Sequence, residues 1–370
     1  MTTTEIRETY LVPPGGDATE ARRPETRRLV GGTRLADLLG LVGAAVGAVA
    51  LTALLVTQIF PVASGIAFTV IALGLFVGLY ALLVSLDERP VAVRDRVAMV
   101  VVHTLAFTVL LTIVFIVTFT FARGLPALVH PNFFVEDMSL AGPLDPLELG
   151  GVAHAIMGTL IQITIALAIT VPLGLTAAVF LSEIPGPFAR FVRTIVEAMT
   201  ALPSIVAGLF VYATFILALG VEKSGLAAAL AICIMMLPIM IRSADVVLRL
   251  VPGTLKEAAY ALGSSQWRTV WQVVLPTSRS GLTTGVILAT ARGIGETSPV
   301  LLTSGFTASM NLDPTTGPMV SLPLAVFQFV KSPEPTMIAR GFGTAAVLMF
   351  LVVLLFALAR FIGGRTRKER

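Results

Sequence analysis

Three stretches near the start of the chain carry no charged side chain and are long enough to cross a lipid bilayer: residues 38–60, 64–85 and 97–121. A transmembrane helix needs about 20 predominantly apolar residues, and a helix satisfies its own backbone polar groups inside lipid. Five further apolar stretches follow with more interruptions, at residues 155–181, 195–219, 226–241, 281–303 and 342–362. The pattern predicts an all-α membrane protein with about eight transmembrane helices. Composition agrees, because 56% hydrophobic and 13% charged residues exclude a soluble globular domain.

The positions of lysine and arginine indicate how the chain is oriented. These residues favour the cytoplasmic side when they lie near the ends of membrane spans. If the N-terminus is inside and eight spans follow, 21 of the 26 Lys and Arg residues fall in cytoplasmic segments. We therefore expect both termini in the cytoplasm, together with the polar loop at about residues 243–280. Residues 1–34 are expected to form a disordered cytoplasmic tail without a signal peptide, and residues 364–370 a basic cytoplasmic tail.

The loop at residues 243–280 has the signals of a helix-turn-helix outside the bilayer. Thr254 and Glu257 have the spacing of a capping box, and Gly263 is expected to end a first short helix. One of the two serines after Gly263 is expected to cap a second helix, which Pro276 would end. The segment is the only long polar island in the second half of an otherwise apolar chain.

Two tryptophans, Trp267 and Trp271, lie one turn apart on the second of these predicted helices. They could pack into a groove on a partner protein, or they could anchor the loop at the membrane surface, where tryptophan is enriched. The sequence does not separate these alternatives.

One predicted span carries charge, because Arg292 and Glu296 fall within the stretch 281–303. Ionisable residues inside a membrane are costly, and they normally face a cavity or a partner and mark a transport pathway. The two residues are one helical turn apart and can pair. Gly293, Gly295 and Pro299 make the helix easy to break, which frees backbone groups to line a cavity. The alternative is an ion pair that only fixes helix packing.

The segment from residue 291 to 299 resembles the A-R-x-x-G-E-T-A/S-P pattern of the phosphate-specific ABC-importer permeases of the PstA type. The loop around Glu257 is similar to the E-A-A…G…L-P loop of ABC-importer permeases, which seats on a separate ATPase subunit. Three other stretches agree: residues 150–160, residues 201–210 and Leu322 with Pro323. The resemblance covers the chain from about residue 97 to its end.

This resemblance implies a six-helix type I ABC-importer permease core over residues 97–363. The pair of spans at residues 35–96 would be an extra N-terminal helical hairpin that such a core does not require. The implied substrate pathway consists of Arg292, Glu296, Thr297 and Ser298. The implied ATPase-docking residues are Glu257, Ala258, Ala259, Gly263 and Trp267. The residues that would make the helix flexible are Gly293, Gly295 and Pro299.

The resemblance also implies the partners of the chain: a second homologous permease subunit, two copies of an ATPase, an extracytoplasmic phosphate-binding protein and the lipid of a bacterial inner membrane. ATP and magnesium would bind to the ATPase, with no cofactor on this chain and no nucleic acid. An importer of sulfate or molybdate is the alternative, because such permeases share the docking loop. An ion-coupled secondary transporter is a more distant alternative. That function would leave the Glu257 loop unexplained, and the eight spans show no inverted repeat of the kind found in such transporters.

The sequence does not predict catalytic or metal chemistry on this chain. None of its four lysines stands in a G-x-x-x-x-G-K-[ST] phosphate-binding loop, so ATP hydrolysis is expected from a partner subunit. Cys233 is the single cysteine, and no H-E-x-x-H spacing occurs, so no metal site is expected.

Overall fold

The computed structural model describes residues 35–59 and 65–364, and every regular element within them is helical. Within these residues, six helices are long and apolar enough to cross a membrane: Asp37–Gln58, Gly65–Leu86, Pro90–Leu128, Ala153–Glu183, Gly225–Arg249 and Pro335–Phe361. A strongly bent pair of helices makes a seventh crossing if it counts as one span. The predicted all-α membrane fold is confirmed. The predicted tails at 1–34 and 364–370 lie outside the described residues, apart from Gly364.

The first compact unit runs to Leu111. It contains α1 (Leu35–Leu54), which continues as a π-helical turn (Leu55–Ile59), α2 (Gly65–Asp87) and the start of α3 (Pro90–Leu128). The Arg96 guanidinium contacts the carboxylates of Asp37 and Glu88 at 2.5 and 2.6 Å. These two ion pairs tie the start of α3 to α1 and to the bend that follows α2.

The second compact unit, from Thr112 onward, is built around α5 (Ala153–Glu183), α8 (Gly225–Arg249) and α11 (Leu275–Ile294). Glycines let these helices approach closely. A Cβ on Gly174 of α5 would lie 2.6 Å from the Met240 side chain of α8, and a Cβ on Gly285 of α11 would lie 2.7 Å from the Ser243 hydroxyl. α8 is therefore the central helix, and α14 (Pro335–Gly364) packs beside α11.

The predicted span at residues 195–219 is not one continuous helix. α6 (Pro187–Thr200) and α7 (Ser204–Val211), which continues as a π-helical turn (Tyr212–Ala218), meet at an angle of 106°. Pro203 lies at the bend, where its ring removes a backbone donor and disfavours helical geometry in the residue before it. The fifth predicted span is therefore a bent pair of helices, which makes one crossing if the pair counts as one span.

The predicted span at residues 281–303 is also interrupted. α11 ends at Ile294, and the short α12 (Ser298–Thr303) begins after a break of three residues. Pro299 occupies the first turn of α12, where a missing N–H costs no hydrogen bond. The expectation that this helix breaks near its glycines is confirmed.

The loop at residues 243–280 forms a first short helix, α9 (Gly253–Ala261). Gly263 has a φ of +80°, the left-handed conformation that ends a helix, as predicted. Ser265 accepts a hydrogen bond from the Arg268 N–H at 3.4 Å and caps the next helix, also as predicted. The predicted capping box of Thr254 is wrong, because the N-cap of α9 is Pro252, two residues earlier, and makes no side-chain cap hydrogen bond.

Pro276 does not end the second helix of this loop. α10 (Gln266–Thr269) runs through a π-helical turn (Val270–Val274) directly into α11, so that one helical run extends from Gln266 to Ile294. A π turn interrupts the regular hydrogen-bond ladder, and this one ends two residues before the proline, which has no N–H to donate. The helix therefore accommodates Pro276 instead of stopping there.

The segments before α5 and before α13 (Leu322–Val330) form a common cap on the second unit, which includes α4 (Asn132–Val135). The Met138 N–H donates to the Ala308 carbonyl, and the Met310 N–H donates to the Asp137 carboxylate, both at 2.9 Å. Hydrogen bonds from the hydroxyl and N–H of the nearby Ser139 hold the pKa of Asp137 below its usual value.

A buried guanidinium fixes the same cap. Arg340 of α14 is 1% exposed and donates to the carbonyls of Pro146 and Leu149 at 2.7 and 2.8 Å. The cap is thus held by hydrogen bonds between segments that are far apart in sequence.

Candidate functional site

The charged pair predicted from the sequence is formed. Arg292 lies in the last turn of α11, and Glu296 lies in the break that follows. Arg292 Nη1 is 2.5 Å from Glu296 Oε1. The two side chains differ in environment, because Arg292 is 47% exposed and Glu296 only 4%. The pair therefore presents a cation to the surface and keeps its counter-charge inside.

Of the two glycines near Glu296 in the chain, one is tightly packed and one lies in open space. A Cβ on Gly293 would lie 2.5 Å from the Met236 sulfur of α8. A Cβ on Gly295 would meet only the Ala291 carbonyl, at 3.9 Å. Gly293 is thus needed for the contact between α11 and α8, whereas Gly295 ends α11 without a steric demand of this kind.

The stretch at residues 201–210 lies directly against this break. Ser204, at the start of α7, lies beside the Glu296 carboxylate. A Cβ on Gly208 would lie 2.5 Å from the Pro299 Cα, so that α7 packs on α12 backbone to backbone. Two segments that the sequence marked separately therefore meet around the buried carboxylate.

Thr297 and Ser298 line an open cavity of about 550 Å³ between α12 and α13. The remaining lining residues are Leu301, Pro323, Val326, Phe327, Val330 and Lys331. The Lys331 ammonium lies 4.3 Å from the centroid of the Phe327 ring. Within the described residues, no carboxylate lies within 4.0 Å of this ammonium.

Lys331 is the residue of this region that sequence reasoning missed. It belongs to no local pattern with Thr297 or Ser298, and only the folding of α13 back onto α12 brings it to their cavity. The sequence feature that could have indicated Lys331 is its location among the basic residues, since it is one of the few that the predicted orientation does not assign to a cytoplasmic segment.

The residues of the Glu257 loop form a separate exposed site. Glu257 and Ala258 are exposed on α9, Ala259 is half-buried, and Gly263 is exposed at the turn. Glu183, at the end of α5, anchors this loop: its carboxylate lies 2.5 Å from the Lys256 ammonium, and its carbonyl accepts from the Gln266 side chain at 3.1 Å.

The loop and the charged pair are connected by one helix. The helical run extends from Gln266 to Ile294. Trp267 lies near its start, beside the loop, and Arg292 lies in its last turn, at the charged pair. At 1.5 Å per residue this run is roughly 40 Å long. No three His, Cys, Asp or Glu side chains converge as metal ligands within the part of the chain that the structure describes.

Comparison with known proteins gives a family and several close relatives. Residues 170–368 match the family described as "Binding-protein-dependent transport system inner membrane component". A phosphate transport system permease protein, PstA 1, of Mycobacterium tuberculosis (strain ATCC 25618 / H37Rv) is 38% identical over 76% of this chain and 93% of its own length. The PstA protein of Mycobacterium leprae (strain TN) is 39% identical over 75% of this chain and 93% of its own.

More distant relatives agree in name. The PstA protein of Yersinia pestis is 35% identical over 74% of this chain and 91% of its own length. Among solved structures, an inward-facing conformation of the MetNI methionine ABC transporter matches 58% of this chain and 92% of its own, at 19% identity and a TM-score of 0.40. That structural likeness is too distant to support an argument.

Proposed function

Because the chain belongs to the family of binding-protein-dependent transport system inner membrane components, we propose that it is the membrane-spanning permease subunit of an ATP-driven importer of inorganic phosphate. The observation that carries the proposal is the half-exposed Arg292 guanidinium, held by a buried carboxylate at a helix break. A guanidinium fork matches phosphate oxygens in charge and in geometry. The names of the relatives support the same substrate.

Arg292 binds phosphate without releasing Glu296. A guanidinium has five N–H donors, so one contact to a carboxylate leaves others for an anion. If Arg292 left its partner, the buried Glu296 would keep an unpaired charge, which costs several kcal/mol. Retention of the pair instead holds the arginine in one orientation while its exposed side meets the passing anion.

The cavity beside Thr297 and Ser298 gives phosphate an approach to the pair. Two hydroxyls and the Lys331 ammonium line it, and Thr297 directly follows Glu296 in the chain. These groups can donate hydrogen bonds to a phosphate oxygen. Phosphate delivered by an extracytoplasmic binding protein would meet Lys331 first and Arg292 second.

The Glu257 loop couples transport to ATP. Its residues Glu257, Ala258, Ala259 and Gly263 dock on an ATPase subunit, of which two copies carry ATP and magnesium. A second homologous permease completes the pathway. Movement of the docked loop reaches Arg292 through the continuous helix that joins them. This arrangement, in a bacterial inner membrane, needs the loop and both termini in the cytoplasm, which the distribution of Lys and Arg supports.

The proposal is tested by uptake of radiolabelled phosphate at limiting concentration in cells that lack this gene. Wild type, Arg292→Ala and Glu257→Ala are compared at equal membrane abundance, with sulfate uptake as the substrate control. Arg190→Ala and Glu222→Ala serve as matched controls, because both residues are exposed and lie outside the two sites.

We expect wild type and both control variants to restore phosphate uptake and the two site variants to fail. Restoration of sulfate uptake alone would keep the permease class and refute the substrate. Normal uptake by Glu257→Ala would refute coupling through this glutamate. Uptake that persists without the ATPase subunit would favour an ion-coupled transporter instead.

A further inference from the structure

A long apolar groove lies between the second half of α5 and the start of the helical run that begins at Gln266. Its volume is about 430 Å³. The α5 wall consists of Pro172, Leu175, Thr176, Val179, Phe180, Glu183 and Ile184. The facing wall consists of Gln266, Trp267, Val270, Trp271 and Leu275. The polar groups at one end, Glu183 and Gln266, contrast with apolar walls elsewhere.

Both tryptophans of the chain lie in this groove. Trp267 is 68% exposed and Trp271 is 55% exposed, and their rings meet edge to face with centroids 5.7 Å apart. Tryptophan combines a large apolar ring with one N–H donor, which suits the boundary between hydrocarbon and water. The exposed rings therefore suit an apolar occupant beside them.

The length of the groove matches one leaflet of a bilayer. From Pro172 to Glu183, α5 rises by roughly 16 Å, at 1.5 Å per residue. The hydrocarbon core of a bilayer is about 30 Å thick, so one leaflet contributes about 15 Å. Since α5 is long and apolar enough to be a membrane span, its wall can extend from near the bilayer centre to the surface.

We infer that this groove binds an acyl chain of a phospholipid from the leaflet next to the Glu257 loop. The chain lies against Thr176 and Val179, and the headgroup lies at the end where Glu183 pairs with Lys256. A water-soluble partner can approach only that polar end, whereas a lipid reaches the whole groove. The inference depends on the membrane fold and not on the substrate of the transporter.

Fluorescence of the full-length chain in lipid vesicles tests this inference, because the chain has only two tryptophans. Trp267→Phe and Trp271→Phe each leave one emitter. Trp271 lies one helical turn further along the run than Trp267. Phosphatidylcholine brominated in the middle of its acyl chains should quench Trp271 more strongly, and bromines near the headgroup should quench Trp267 more strongly.

A substitution that fills the groove with a side chain distinguishes lipid binding in the groove from general contact with bilayer lipid. Thr176→Phe places a ring between the walls, and Thr164→Phe is the matched control. Both threonines are exposed on α5 and bond to the carbonyl four residues earlier, but Thr164 lies outside the groove. Thr176→Phe should remove most of the quenching of Trp271 by brominated lipid, and Thr164→Phe should leave it unchanged.

Three results would overturn the inference. Equal quenching of Trp271 in Thr176→Phe and Thr164→Phe would mean that the tryptophans contact only bulk lipid. Quenching by aqueous iodide without quenching by brominated lipid would place the groove in water. Loss of lipid quenching in the complete transporter, with the isolated chain still quenched, would show that a partner subunit occupies the groove.

Discussion

The difference in burial between Arg292 and Glu296 makes their two substitutions unequal. Arg292→Gln leaves a carboxylate that is 4% exposed without its cation. Removing one partner of a buried pair costs about 3–5 kcal/mol, and the lower end applies because the arginine is itself half exposed. Glu296→Gln leaves a guanidinium that water already reaches, so we expect a loss of about 1 kcal/mol or less. The double variant, which has no charge to bury, should recover most of the stability.

Measurements of phosphate uptake separate the structural role of this ion pair from its role in binding the anion. We expect no phosphate uptake from Arg292→Gln or from the double variant, because neither has the cation. Glu296→Gln should retain reduced uptake, since the arginine is present but less well oriented. Thermal unfolding of the purified transporter and phosphate uptake at equal membrane abundance measure the two properties independently.

Two outcomes would refute this reasoning. If the double variant recovers uptake as well as stability, the pair only fixes helix packing. If Glu296→Gln destabilises the protein as much as Arg292→Gln, the difference in burial does not control the energetics of the pair.

Three further predictions concern residues around the site and the cap. Gly293→Ala should destabilise the protein by about 1–3 kcal/mol through overpacking, whereas Gly295→Ala should be tolerated; thermal unfolding compares them. Lys331→Gln should lower uptake at limiting phosphate roughly two- to fivefold, the size of an exposed charge interaction, and Lys223→Gln, which also removes a lysine beside an aromatic ring, should not. Asp137 should stabilise the cap at neutral pH because its pKa is lowered in the folded state, so the difference in thermal stability between wild type and Asp137→Asn should begin to shrink as pH falls below the ordinary aspartate pKa of about 4 and should vanish only below the lowered pKa.

The sequence predicted those features that depend on local chemistry. Charge-free apolar stretches led to the first three spans, because hydrophobic length alone decides whether a helix can cross a bilayer. The helix end at Gly263 and a cap at one of the two following serines were predicted because these conformational and capping preferences are intrinsic to the residues. The pairing of Arg292 with Glu296 followed from their spacing on a helix.

Features that depend on a neighbouring element could not be predicted in this way. Hydropathy gives no information on the direction of a helix axis, so the bend at Pro203, which lies within an apolar stretch, could not be predicted from it. Pro276 was expected to stop a helix, but the π turn before it removes the need for its N–H. Lys331 reaches the cavity beside Ser298 only because α13 folds back onto α12, a contact without a local sequence pattern.

The helix that joins the Glu257 loop to Arg292 has one irregular turn, at Val270–Val274. Helices are stiff except at such turns, at prolines and at inserted groups, so this turn decides whether motion of the loop reaches the pair. Val270 and Trp271 belong both to this turn and to the groove for the acyl chain. A lipid in the groove would therefore brace the turn, and Thr176→Phe should lower phosphate uptake relative to Thr164→Phe at equal thermal stability. Equal uptake in the two variants would show that transmission through the turn does not need an occupied groove.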